Sequence, residues 1–169
     1  GHGSYIENEL GEVYLVHLTS RPFVPELRCT LGRETAMQKM KWTEDGWLRM
    51  ADGSNLAKEY FEPSKLPEVP VKQIPDFDDF DDETLGIQYY APRIMPQRFI
   101  DLKSRPGYLR MRGQESRTSL NKVSILARKL TSVHATITTK MEFNPEVHQH
   151  SAGLIMYYDN MNYINLRKY

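Results

Sequence analysis

Prolines 63, 67, 70 and 75 fall inside one stretch that has no hydrophobic period, and this stretch separates two β-patterned halves of the chain. Proline fixes φ and removes a backbone donor, so residues 52–75 suit neither a sheet interior nor a helix and read as extended, semi-rigid, polyproline-like chain. The expected organisation is a domain at 1–51, a linker at 52–75 and a second domain at 76–169. Glu59, Tyr60 and Phe61 give the linker aromatic surface that is expected to pack on a neighbouring domain.

The first half alternates with period two. Val13, Leu15 and His17 fall on one side and Tyr14, Val16 and Leu18 on the other, and large side chains on both faces predict a strand covered twice. Glu9-Leu10-Gly11 reads as a hairpin turn leading into it, and Glu44-Asp45-Gly46 as a second turn between residues 39–42 and 47–50. Short antiparallel strands joined by tight turns match one propeller blade, which cannot close a ring alone. In the second half, Tyr108-Leu109-Arg110-Met111-Arg112 alternates between Pro106-Gly107 and Gly113. The longest alternation runs from His134 to Phe143, with Ala135, Ile137, Thr139, Met141 and Phe143 on one face, which predicts a sandwich strand with one wet face. Residues 153–158 and 163–166 form a further hairpin pattern around Asp159-Asn160-Met161-Asn162. With neither an internal repeat nor a long amphipathic helix, the fold class is all-β.

Composition narrows the function. The 169 residues hold 22 basic and 22 acidic side chains, so no broad positive field draws nucleic acid or an anionic membrane, and a neutral ligand such as a sugar is compatible. A hydrophobic content of 40% is enough for a real core. Cys29 is the single cysteine, so burial and strand pairing must hold the fold without an intrachain disulfide. No apolar run reaches the ~18 residues of a membrane span, and the amino end lacks the basic and apolar regions of a signal peptide. A chain that opens on Gly1 rather than Met is expected to be a cut product, so no cellular location follows.

Several residues bear chemistry. Arg33, in Leu31-Gly32-Arg33-Glu34-Thr35, sets a guanidinium at the end of a β-element. Its rigid fork of donors can grip neighbouring hydroxyls of a sugar, and the plain alternative is an ion pair with a nearby acid. The run from Asp76 to Glu83 reads as a solvated domain entrance with Phe77 and Phe80 turned inward; a calcium site is the sharper alternative, but the spacing does not follow the Asp-rich cation loop. His148 and His150 flank Gln149 without an evident third ligand and read as surface loop. Trp42 and Trp47 flank a turn and suit packing better than sugar stacking, and Cys29 reads as a small buried hydrophobe.

Taken together, Gly1-His2-Gly3-Ser4, residues 11–18, Arg21-Pro22, Leu31-Gly32-Arg33-Glu34-Thr35 and Trp42-Thr43-Glu44-Asp45-Gly46-Trp47 resemble the closing part of the catalytic domain of glycoside hydrolase family 43, β-xylosidase type. Asp78-Asp79-Phe80-Asp81, residues 105–110 and Ala152-Gly153-Leu154 extend the resemblance into the β-sandwich that follows the propeller in that family. It covers nearly the whole chain, in order, and favours native sequence at the amino end. The implied fold is the last blade region of a five-bladed β-propeller followed by the first half of a concanavalin-A-like β-sandwich, or jelly roll. Half a sandwich leaves an apolar face and strand edges uncovered, so the missing propeller and sandwich segments, or an oligomeric partner, are expected to supply the cover.

The implied reaction is inverting hydrolysis of terminal xylose from xylo-oligosaccharides. One carboxylic acid protonates the leaving oxygen, a carboxylate activates water, and a third acid orients the first. The family carries these on earlier blades, so this chain is expected to hold no catalytic carboxylate and to be inactive alone. Two residues carry over as substrate-binding. Arg33 matches the arginine that contacts the sugar at the catalytic subsite, and His2 matches the histidine of the central channel. No cofactor is required; water or Ca2+ in the channel is expected to meet His2, which is the one candidate metal ligand. Xylose and arabinofuranose specificity stay open, as does a second class of function, a non-catalytic carbohydrate-binding or structural β-sandwich module.

Overall fold

The structure, a computed structural model, describes residues 2–169. Its described residues form eight β-strands and a single-turn 3-10 helix, with no α-helix. They divide into two compact units: residues up to Lys72 together with Thr131–Val133, and Gln73–Leu130 together with His134–Tyr169.

The first unit is a four-stranded antiparallel meander in chain order, β1 (Gly3–Glu7), β2 (Val13–Thr19), β3 (Glu34–Trp42) and β4 (Leu48–Met50). Its turns are chemically specified. The Asn8 side-chain oxygen accepts from the backbone N–H of Leu10 at 3.0 Å and of Glu12 at 2.9 Å, and Gly11 takes the left-handed φ of 74° that closes the first hairpin. At the second expected turn, the Thr43 hydroxyl donates to the Trp47 carbonyl at 2.8 Å while Gly46 sits at φ 78°. Both hairpins form where the sequence places them. Coverage of β2 is uneven: Val13 is 4% and Tyr14 5% exposed, yet Leu18 is 40% exposed, so burial on both faces holds only at its start.

Residues 51–72 carry no strand, but side chains fasten them to the sheet. Gln38, only 3% exposed, donates its amide nitrogen to the Lys58 carbonyl at 2.9 Å and accepts the Lys58 N–H at 2.8 Å. One side-chain amide thus does what a backbone peptide does in a ladder. Farther along, the Glu12 carboxylate accepts from the Ser64 hydroxyl at 2.5 Å, the Asn8 amide at 2.8 Å and the Lys39 ammonium at 3.1 Å. Those hydrogen bonds, Ser64 first, hold the Glu12 carboxyl down at about 2. Phe61 tilts against Tyr14 with ring centroids 6.1 Å apart, whereas Tyr60 stays 83% exposed, so one of the two expected aromatics packs.

The second unit centres on the buried side chains Phe99, Leu102, Val123 and Ile125. Around it lie the short ladder of β5 (Ile100–Asp101) with β6 (Arg110–Met111) and the hairpin of β7 (Ala152–Tyr157) with β8 (Tyr163–Lys168). The Asp159 carboxylate caps the hairpin turn, accepting the backbone N–H of Met161 at 2.8 Å and of Asn162 at 2.7 Å. Register pairs Leu154 with Leu166 and Met156 with Ile164, so these four share one face. Met156 is 56%, Ile164 73% and Leu166 77% exposed, and that face lies uncovered among the described residues.

Three expectations need correction in this unit. The segment from His134 to Phe143 is not a strand. Among the described residues no backbone hydrogen bond joins 135–143 to another segment; alternation names the side chains a strand would bury, not whether a second backbone lies beside it. It is tethered instead by side chains, with the Arg105 fork on Glu142 at 2.5 and 3.1 Å and the Lys168 ammonium on the Phe143 carbonyl at 2.8 Å. The strand expected across 108–112 shrinks to two paired residues. Of the two aromatics in the acidic run, Phe80 turns against Tyr89 at 6.0 Å, but Phe77 points outward at 77% exposure.

Candidate functional site

Register brings the two candidate residues to one end of the first sheet. The His2 carbonyl accepts the Leu18 N–H at 3.0 Å, Leu18 pairs with Thr35, and Thr19 pairs with Glu34, directly after Arg33. His2 therefore stands at the start of β1 and Arg33 at the start of β3, with the end of β2 between them. Two strand spacings of ~4.8 Å each, with Arg33 two residues along from Thr35, set their backbones roughly 12 Å apart. Pleat parity puts His2, Leu18 and Thr35 on one face, and Arg33, two residues before Thr35, on the same side if the pleat runs one residue further.

The surroundings of Arg33 bear on its two readings. The plain one requires an ion pair with a nearby acid, and the nearest in sequence, Glu34, is already engaged. Arg21 grips it with two parallel bonds, Nε to Oε2 at 2.9 Å and Nη2 to Oε1 at 2.7 Å, and donates a third to the Thr131 carbonyl at 3.0 Å. That fork holds the Glu34 carboxyl below its usual range and raises Arg21 in turn. Arg33 itself is exposed, and no hydrogen bond or ion pair to it occurs among the described residues. Its fork of donors is left facing solvent, where a ligand can take it.

The loop leading to Arg33 is braced on the other side as well. Gly32 adopts φ 76°, with open space where a Cβ would stand, and its carbonyl accepts the Cys29 thiol at 3.0 Å. Cys29 is thus half-buried and structural, with no base beside it. Arg33 sits between two tethered neighbours, Gly32 and Glu34. Glu34 lies in the same short motif as Arg33 and Arg21 in a separate one, and their partnership spans 13 residues that no spacing rule announces.

The His2 side chain is exposed. Among the described residues no three His, Cys, Asp or Glu side chains gather as a metal site. The aromatic candidates lie elsewhere. Trp42 ends β3, eight residues past its first, which at ~3.3 Å per residue is roughly 26 Å from the Arg33 end. Trp42 meets Tyr5 edge-on at 5.6 Å, a packing contact, and Trp47 is 67% exposed on the turn. His148 and His150 lie exposed in a loop, as the lack of an evident third ligand suggested.

Comparison with known proteins identifies the family. Residues 1–48 match the glycosyl hydrolases family 43 model, and residues 77–169 match the model described as the β-xylosidase C-terminal concanavalin A-like domain. A β-xylosidase of Bacillus subtilis strain 168 is 36% identical across 99% of this chain and 33% of its own length. A non-reducing end α-L-arabinofuranosidase of Bacteroides ovatus is 30% identical across 98% of the chain and 31% of its own length. The crystal structure of a xylan β-1,4-xylosidase from Bacillus halodurans C-125 superposes with a TM-score of 0.88 at 43% identity, covering 99% of this chain and 32% of that one. The chain spans about a third of the length of the curated relatives it matches. The meander is accordingly a propeller blade and the second unit part of a concanavalin A-like sandwich, and the chain belongs to glycoside hydrolase family 43, β-xylosidase type.

Proposed function

We propose that this chain is the carboxyl-side part of an inverting glycoside hydrolase that removes terminal xylose from xylo-oligosaccharides, and that it supplies the cation that holds the reacting sugar. The single observation carrying this reading is the state of Arg33: exposed, without a protein partner, and next to a glutamate that another arginine has already occupied. In the proposed reaction the general acid, the general base and the orienting third acid come from earlier blades. Arg33 moves no proton. Its fork bonds sugar hydroxyls and fixes the ring so that the anomeric carbon lies between acid and activated water. His2 lines the channel two strands away, and no step runs through a metal. Relatives described as β-xylosidase and as α-L-arabinofuranosidase support the pentose class and leave both sugars as substrates to be assayed. The uncovered face of the β7–β8 hairpin is covered, in this reading, by further sandwich strands from the same polypeptide or another copy.

The test compares aryl β-xyloside hydrolysis by the full-length enzyme carrying this chain, by the same enzyme with Arg33→Ala, and by residues 1–169 alone. The expected result is no turnover by the chain alone and a loss of roughly a hundredfold or more in kcat/KM for the variant, because a ring displaced by ~1 Å leaves the reacting geometry. Wild-type turnover by Arg33→Ala would remove the assigned role. Sugar binding by residues 1–169 that ignores Arg33 would favour a non-catalytic binding module.

A further inference from the structure

We propose that Arg21 is a positioning residue for Arg33, acting through Glu34. The inference rests on the proposed role of Arg33 and adds to it the device that aims the guanidinium. Arg33 has no side-chain partner of its own, so its direction depends on where its backbone is held. On its amino side the Cys29 thiol is bonded to the Gly32 carbonyl, and Gly32 takes a left-handed φ of 76° that an L side chain rarely adopts. On its carboxyl side Arg21 clamps the Glu34 carboxylate through two parallel bonds and ties the same guanidinium to the Thr131 carbonyl.

The clamp is directional in a way a single bond is not. Two parallel N–H donors fix both the distance and the plane of the carboxylate, and Glu34 is the first residue of β3, paired with Thr19. As a source of global stability the pair is weak, since its side chains are 59% and 30% exposed and solvent screens them. Three hydrogen bonds from one exposed arginine that adds little stability are better explained by what they hold still. What they hold is the residue immediately before Glu34.

A double-mutant cycle tests this in the full-length enzyme, with kcat and KM measured on an aryl β-xyloside for wild type, Arg21→Ala, Arg33→Ala and the double variant. Expected is a loss of about ten- to a hundredfold in kcat/KM for Arg21→Ala, carried mainly by kcat, and less than about a twofold further loss when Arg21→Ala is added to Arg33→Ala. If Arg21→Ala multiplies the loss equally in both backgrounds, or costs nothing in the wild type, Arg21 does not act through Arg33 and the proposal is overturned. A wild-type rate for Arg33→Ala alone overturns the underlying reading and this proposal with it, and it differs from the first failure because Arg33 itself is then dispensable. Should Arg21→Ala not fold, Glu34→Gln, which keeps the shape and loses the charge, enters the same cycle and is held to the same two outcomes.

Discussion

Residues 13–19 and 135–143 carry the same alternating pattern, yet only the first is a strand with a neighbour on each side. The difference lies in where a partner comes from. In the meander each strand pairs with the next one in sequence; Asn8 with Gly11 and Thr43 with Gly46 specify the first and last turns locally, while β2 and β3 are joined by the longer loop 20–33. Residues 135–143 have no such turn to an adjacent strand, and the described residues offer them no partner backbone. A pattern becomes structure only when a second backbone completes it.

The largest expected effect separates the two stretches directly. Amide hydrogen exchange in the folded chain should be slower for residues 13–19 than for 135–143 by on the order of a hundredfold or more, since the central strand opens only when the meander does. Equal exchange would dissolve the contrast.

A smaller effect probes how the meander keeps its strap. Gln38→Leu removes both bonds to Lys58 and leaves its N–H and carbonyl to water, at a cost of about 1–2 kcal/mol that urea unfolding followed through the first unit should register. An unchanged midpoint would mean that the strap is held by Glu12 and Phe61 alone.

The smallest effect is one of pH, and the two units should respond at opposite ends of the scale. Glu12 is depressed to about 2 from an ordinary 4.5. Its contribution is therefore complete above about pH 4.5 and lost as pH falls toward about 2, where wild type and Glu12→Gln should converge in thermal unfolding. In the second unit, burial first and Asp78 second push the Tyr89 hydroxyl from 10.0 up to about 12. Its contribution is complete below about pH 10 and lost as pH rises through about 12, a titration that tyrosinate absorbance should follow and Tyr89→Phe should abolish. A Tyr89 that ionises at the ordinary value would break the symmetry.

These contrasts mark what was legible in the sequence. The two tight turns of the meander and the β7–β8 hairpin were, because turn residues and alternation are local signals. So was the placing of Arg33 at a strand end. The strandless state of 135–143 was not, and neither was the outward turn of Phe77, because both depend on what lies opposite. The freedom of Arg33 was hidden for the same reason, since it exists only because Arg21 reaches Glu34 from 13 residues away. Gln38 reads in sequence as an unremarked polar residue within a strand; only the fold shows it buried and clasping Lys58.

That clasp has a consequence for how such a chain can change. Strands in a ladder must stay in step, and one inserted residue turns every later side chain to the wrong face. The Gln38 amide imposes no such count, because it meets a single peptide and leaves the residues after Lys58 uncommitted. Beyond its second anchor at Ser64 and Lys65, the proline-bearing stretch can gain or lose residues at slight entropic cost, with the blade undisturbed. Evolution can thus retune the spacer after the blade by insertion and deletion alone.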